Sequence, residues 1–225
     1  EESSEEVTEE VTEETIEEIN EDPETIVEED PEVIEEDPEV IEEEPEVIED
    51  PEVTDIGNRL RVTVMWDTPG DPDQLDNEGT DMDLHLLHPE ATRWSQSPWD
   101  CYFANPQPDW GVSGHEHDPS LDIDDVNGAG PESISYHNPE PTTDRPYQVG
   151  VHYYSAGGLF AADYGSSTVT VSVYIDEVLV ESASREIVQG QLFVPFEIMW
   201  SEDGVGTVIS VDRLYEDLEV AEVIA

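Results

Sequence analysis

The sequence predicts an all-β fold: an antiparallel β-sandwich of about 8 to 10 strands, preceded by an extended acidic N-terminal arm. Three observations predict it. After Gly57 apolar and polar residues alternate at period two, turn-rich insertions separate the alternating runs, and no stretch has a convincing helical period. A region of roughly 170 residues is long enough for one sandwich core, which divides the chain into an arm over 1–55 and a sandwich domain over 56–225.

RLRVTVMW (59–66) places Leu60, Val62, Val64 and Trp66 on one face of a strand. DMDLHLL (81–87) turns Met82, Leu84 and Leu86 inward and leaves Asp81, Asp83 and His85 on the reverse. YQVGVHYY (147–154), STVTVSVYI (167–175) and QLFVPFEIMW (191–200) alternate similarly, and shorter candidates lie at 120–125, 132–137, 178–184 and 206–211. The C-terminal LEVAEVIA offers one more edge strand.

The arm is a different kind of sequence. Residues 30–50 are three near-copies of a seven-residue unit with twelve acids and no base, and residues 5–20 repeat by four. Proline at 23, 31, 38, 45 and 51 rules out a continuous helix, and with it a heptad coiled coil. An extended chain with an odd repeat reverses its face at each unit, so Val33, Ile41 and Val47 share one side and Ile34, Val40 and Ile48 the other. Two readings stay open. Proline and self-repelling acids suit a solvated stalk, whereas β-branched pairs suit short strands that add to a neighbouring subunit's sheet edge and so mediate self-association.

The 225 residues carry 60 acids and six bases, all of them Arg. Phosphate binding needs clustered Lys and Arg, so a nucleic-acid partner is excluded. The first 55 residues hold 29 of the acids and no base, but the remainder is also strongly acidic, and such a surface requires screening or bound cations. No segment approaches the roughly 18 apolar residues of a transmembrane helix. The chain begins at Glu1 rather than Met, which fits a processed, exported protein or a trimmed chain. The single Cys101 excludes an internal disulfide framework and reads as a small buried residue.

Chemistry concentrates between Thr80 and Ile134. Asp81 and Asp83 are two apart, as are Asp122 and Asp124, with Asp125 and Asn127 following. On a strand each such pair sets two carboxylates side by side, and a proton or a cation must relieve their repulsion. Oxygen-only ligands of this kind, beside a glycine-rich turn able to lend carbonyls, suit Ca2+. No complete zinc pattern accompanies His115 and His117 or His85 and His88, and there is no nucleophile elbow or phosphate-cradling loop. Trp94, Trp99 and Trp110 lie in one long insertion, where they read either as a stacking platform for carbohydrate or as loop packing on the sandwich.

The segments DMDLHLLHP, WDCYFANPQPDWG, DPSLDIDDVNGAGPESI and YQVGVHYYS together resemble a β-sandwich domain of unknown function found in exported and surface-anchored proteins of myxobacteria and similar bacteria. The resemblance covers about residues 60 to 200 and leaves out the arm. It implies an extracellular, non-catalytic module and an acidic motif at Asp81, Asp83, Asp122, Asp124 and Asp125. Ser133 departs from the family's commoner asparagine in the GPEN motif, and the insertion from Asp67 to Gly79 is a second departure. The functional expectation is therefore an exported, non-enzymatic structural protein. It would be stabilised by calcium and would assemble through its arm into a surface layer or fibre; the alternative is a calcium-dependent carbohydrate-binding or adhesion module.

Overall fold

The computed structural model describes residues 59–223 apart from 75, 77–78, 112–113, 115–116, 127 and 158–162. The arm, including Val33, Ile34, Val40, Ile41, Val47 and Ile48, lies outside the described residues, as does Asn127.

Ten strands form in chain order: β1 (Arg59–Asp67), β2 (Asp81–Leu87), β3 (Asp100–Cys101), β4 (Pro119–Ile123), β5 (Glu132–His137), β6 (Tyr147–Ser155), β7 (Ser167–Ile175), β8 (Val178–Ile187), β9 (Leu192–Trp200) and β10 (Gly206–Tyr215). They make two antiparallel five-stranded sheets, ordered β4-β5-β1-β7-β8 and β10-β9-β6-β2-β3. The period-two reading holds most plainly in β1 and β7, while β2, β5 and β9 are buried on both faces. Leu60, Val62, Val64 and Trp66 of β1 and Met82, Leu84 and Leu86 of β2 are all buried between the sheets. Each such aliphatic side chain stabilises the fold by about 1.5–3 kcal/mol over leaving it in water.

The second sheet is covered on its other face as well. Leu87, Ala91, Trp94, Leu192 and Val194 form a smaller cluster there, under the long β2–β3 loop and the C-terminal segment. Gly150 of β6 makes room for that cover, since a β-carbon there would lie 2.7 Å from the Trp94 ring. The C-terminal segment is not the expected edge strand. Leu218–Val220 is a 3₁₀ turn capped by Asp217, and Leu218, Ala221 and Val223 pack against the smaller cluster. Apolar residues that cover a face have no need of a ladder partner.

No helix among the described residues is long and apolar enough to cross a membrane.

Candidate functional site

β2 is a central strand along only half of its length. β6 pairs along its whole run, whereas the two-residue β3 meets only Leu86 and Leu87. The other half of that edge turns toward β5 of the opposite sheet, where the Leu84 amide donates to Glu132 Oε2 at 2.7 Å. Glu132 is in phase with Ile134 and Tyr136, the core-facing residues of β5, and is 1% exposed. Its second oxygen, Oε1, is buried and meets no amide or hydroxyl donor.

Four further carboxylates act on this corner. Burial, and then the charges of Asp83, Asp124 and Asp125, raise the Asp81 pKa to about 7. Glu132 is pushed up to about 9, mainly by burial; the Leu84 hydrogen bond opposes the shift, and Asp83, Asp124 and Asp81 add to it. Asp124 is also raised, first by burial and then by Asp83, and a hydrogen bond to the Glu132 carboxyl opposes the shift. Asp81 Oδ1 is a second buried oxygen lacking a partner. Asp125 holds its loop in shape, with Oδ2 accepting from the Gly130 amide at 3.0 Å. That oxygen would lie 2.5 Å from a β-carbon at Gly128, so the curl fits only glycine without adjustment. On the β6 side, Asp83 Oδ2 lies 3.4 Å from His152 Nδ1.

The structure thus gathers Asp81, Asp83, Asp124 and Asp125 but not Asp122. The β4–β5 register slips between Leu121 and Ile123, and Asp122 Oδ2 accepts instead from Ser135 Oγ. Period-two reasoning fails across such a bulge. Glu132 was not among the sequence candidates. Its signal was an acid in the buried phase of a strand, within GPESI. Among the described residues no three His, Cys, Asp or Glu side chains already stand as a ready ligand set.

The tryptophans form no open platform. Trp94 and Trp110 are buried, and Trp99 is partly buried against the core. Trp110 Nε1 donates to the Pro98 carbonyl at 2.6 Å, and His88 is stacked on Trp99 with ring centroids 4.7 Å apart. Burial lowers the His88 pKa to about 4, and its Nδ1 accepts from the Glu90 amide at 3.0 Å. Its sister His85 is also buried; burial disfavours charge there, but Asp100 outweighs it and raises the pKa. The Cys101 thiol is free and buried, and burial pushes its pKa up.

No protein-family model and no curated protein matches the chain. A crystal structure of a protein of unknown function aligns at 16% identity with a TM-score of 0.46, covering 72% of this chain and 92% of that one. A homologue of telluride resistance protein (TerD) from Streptomyces coelicolor A3(2) aligns at 15% identity with a TM-score of 0.45, over the same shares of each chain. The likeness extends to the β-sandwich fold. The expectation of an exported structural protein of a surface layer or fibre is withdrawn, since the second neighbour is described as a homologue of a telluride resistance protein.

Proposed function

We propose that the domain is a non-enzymatic, divalent-cation-binding β-sandwich, with Ca2+ as the ion and Asp81, Asp83, Asp124, Asp125 and Glu132 as its ligands. The observation that carries the proposal is the convergence of Asp81, Asp83 and Asp124 on the buried carboxyl of Glu132. Carboxyl groups this close are relieved of their repulsion either by protons or by an ion, and a bound ion neutralises the cluster in place of the protons. Five carboxylates and no nitrogen or sulfur ligand suit a hard cation of high coordination number.

Asp124 is exposed and Asp125 half-buried on the β4–β5 loop, where both remain open to a ligand from solvent. Ion binding draws them toward β2, so that one ion ties β2 of one sheet to the β4–β5 loop of the other.

Thermal unfolding of the full chain with calcium, with magnesium and with chelator tests this proposal. Calcium at millimolar concentration raises the Tm of the wild type, and Glu132→Gln removes the rise while keeping an acceptor for the Leu84 amide. An equal calcium effect in both proteins rejects the site.

A further inference from the structure

The two sheets end in four edge strands, and three of these carry a device that discourages pairing with another chain. β3 has only two residues. β4 opens on Pro119 and slips register between Leu121 and Ile123. β10 is broken between Ser210 and Arg213, where Asp212 has a φ of +49°.

β8 is built otherwise. Its one irregularity against β7 lies beside the hairpin turn, and from Glu181 to Ile187 the pairing is unbroken. The strand contains no proline, its charges are confined to Glu181, Arg185 and Glu186, Val178, Leu179 and Val180 are all exposed, and among the described residues no strand pairs with its outer edge. A regular row of backbone donors and acceptors therefore faces outward.

We propose that β8 pairs antiparallel with β8 of a second copy, giving a closed two-fold dimer whose axis passes through Ala183. Facing residues in an antiparallel ladder present their backbone groups alike, so the axis of a symmetric pair must fall on a residue. With the axis on Ala183, Glu181 faces the partner's Arg185 and Arg185 faces the partner's Glu181. Arg185 is the only base in the strand, and moving the axis to Ser182 or Ser184 would set it against Leu179 or Ala183. Directly facing side chains share a face and touch, so the register is chosen by charge.

The opposite face fits the same register. Thr170 Oγ1 and Ser184 Oγ are 2.8 Å apart, and Ser172 Oγ and Ser182 Oγ are 3.1 Å apart, forming cross-strand hydroxyl pairs between β7 and β8. In the dimer Ser184 faces the partner's Ser182, so the hydroxyl rows continue across the seam. Arg185 also holds Asp212 Oδ1 at 2.7 Å, which keeps its guanidinium at this rim of the sandwich. The formal charge of −54 per chain opposes association at low ionic strength. The pair therefore forms once salt screens distant charges but not those in contact.

Sedimentation of the full chain in low salt and in about 0.5 M salt reads this out, with circular dichroism confirming that each variant folds. The wild type sediments as a dimer in the higher salt. Glu181→Arg places like charges at both contacts and weakens dimerisation roughly tenfold or more. The double variant Glu181→Arg with Arg185→Glu restores it. A wild type that stays monomeric in both salts, a species larger than a dimer, or a double variant no better than Glu181→Arg alone overturns the proposal.

Discussion

At the C-terminal end of β2, buried Asp100 accepts from His85 Nδ1 at 2.9 Å and from the Ser95 amide at 2.7 Å. At its N-terminal end, buried Glu132 accepts from one amide and otherwise meets Asp81, Asp83 and Asp124. Both carboxylates are equally removed from water, at 0% and 1% exposure. The surroundings differ: Asp100 has a histidine whose charge it stabilises, and the Glu132 corner has an excess of acid with almost nothing to balance it. Burial alone therefore does not mark a binding site. A buried acid with its own cation partner is part of the structure, whereas a buried group of acids has a place for a proton or an ion.

The largest expected effect comes from breaking the balanced end. Asp100→Ala leaves His85 buried without its carboxylate, stacked under Tyr102 with ring centroids 4.9 Å apart. Removing one member of a buried pair costs about 3–5 kcal/mol. Urea unfolding is expected to show that loss, while the increment that calcium adds to stability is retained because the other end of β2 is intact.

The next effect is one of pH on the unbalanced end. In ion-free protein Glu132 and Asp81 hold their protons up to about 9 and about 7, whereas the unfolded chain releases them near pH 4. The native state therefore binds more protons than the unfolded state across this interval. Stability from this corner is full below the unfolded range and falls as pH rises from about 4 toward about 9. Denaturant midpoints in chelator are expected to decline from pH 5 to pH 8, and saturating calcium is expected to flatten or reverse the decline. A chelated protein that is more stable at pH 8 than at pH 5 speaks against these protonation states.

A smaller effect separates cover from site. Gly150→Val forces the Trp94 ring off β6, at a cost of about 1–3 kcal/mol for overpacking; tryptophan fluorescence should shift while calcium binding persists. The smallest effect is expected at Asp122, which lies outside the cluster. Asp122→Asn keeps an acceptor for Ser135 Oγ and is expected to leave calcium affinity within about twofold, within the scatter of ordinary surface substitutions.

Most of the fold was legible because period-two alternation is a direct record of which face of a strand is buried. Every strand but β3 lies under an alternating run, and β3 escaped because two residues carry no period. The Asp81 and Asp83 pair was legible for the same reason. Asp122 misled because a bulge breaks the period between Leu121 and Ile123, and no residue in the sequence announces that bulge. Glu132 was overlooked because the spacing of acids was read within one segment, whereas the corner joins three segments. The aromatic loop could not be decided from composition, since a tryptophan that stacks on a ligand and one that covers a sheet look alike until Gly150 is seen beneath Trp94.

The central claim is that the corner of β2, β5 and the β4–β5 loop exchanges protons for a cation. Its most direct test is the number of protons released when calcium is added at pH 7 in weakly buffered solution. With Glu132 mostly protonated and Asp81 near half-protonated at that pH, saturating calcium should release between about one and two protons per chain, and clearly fewer from Glu132→Gln. Calcium uptake with no proton release, or the same release from both proteins, would contradict it.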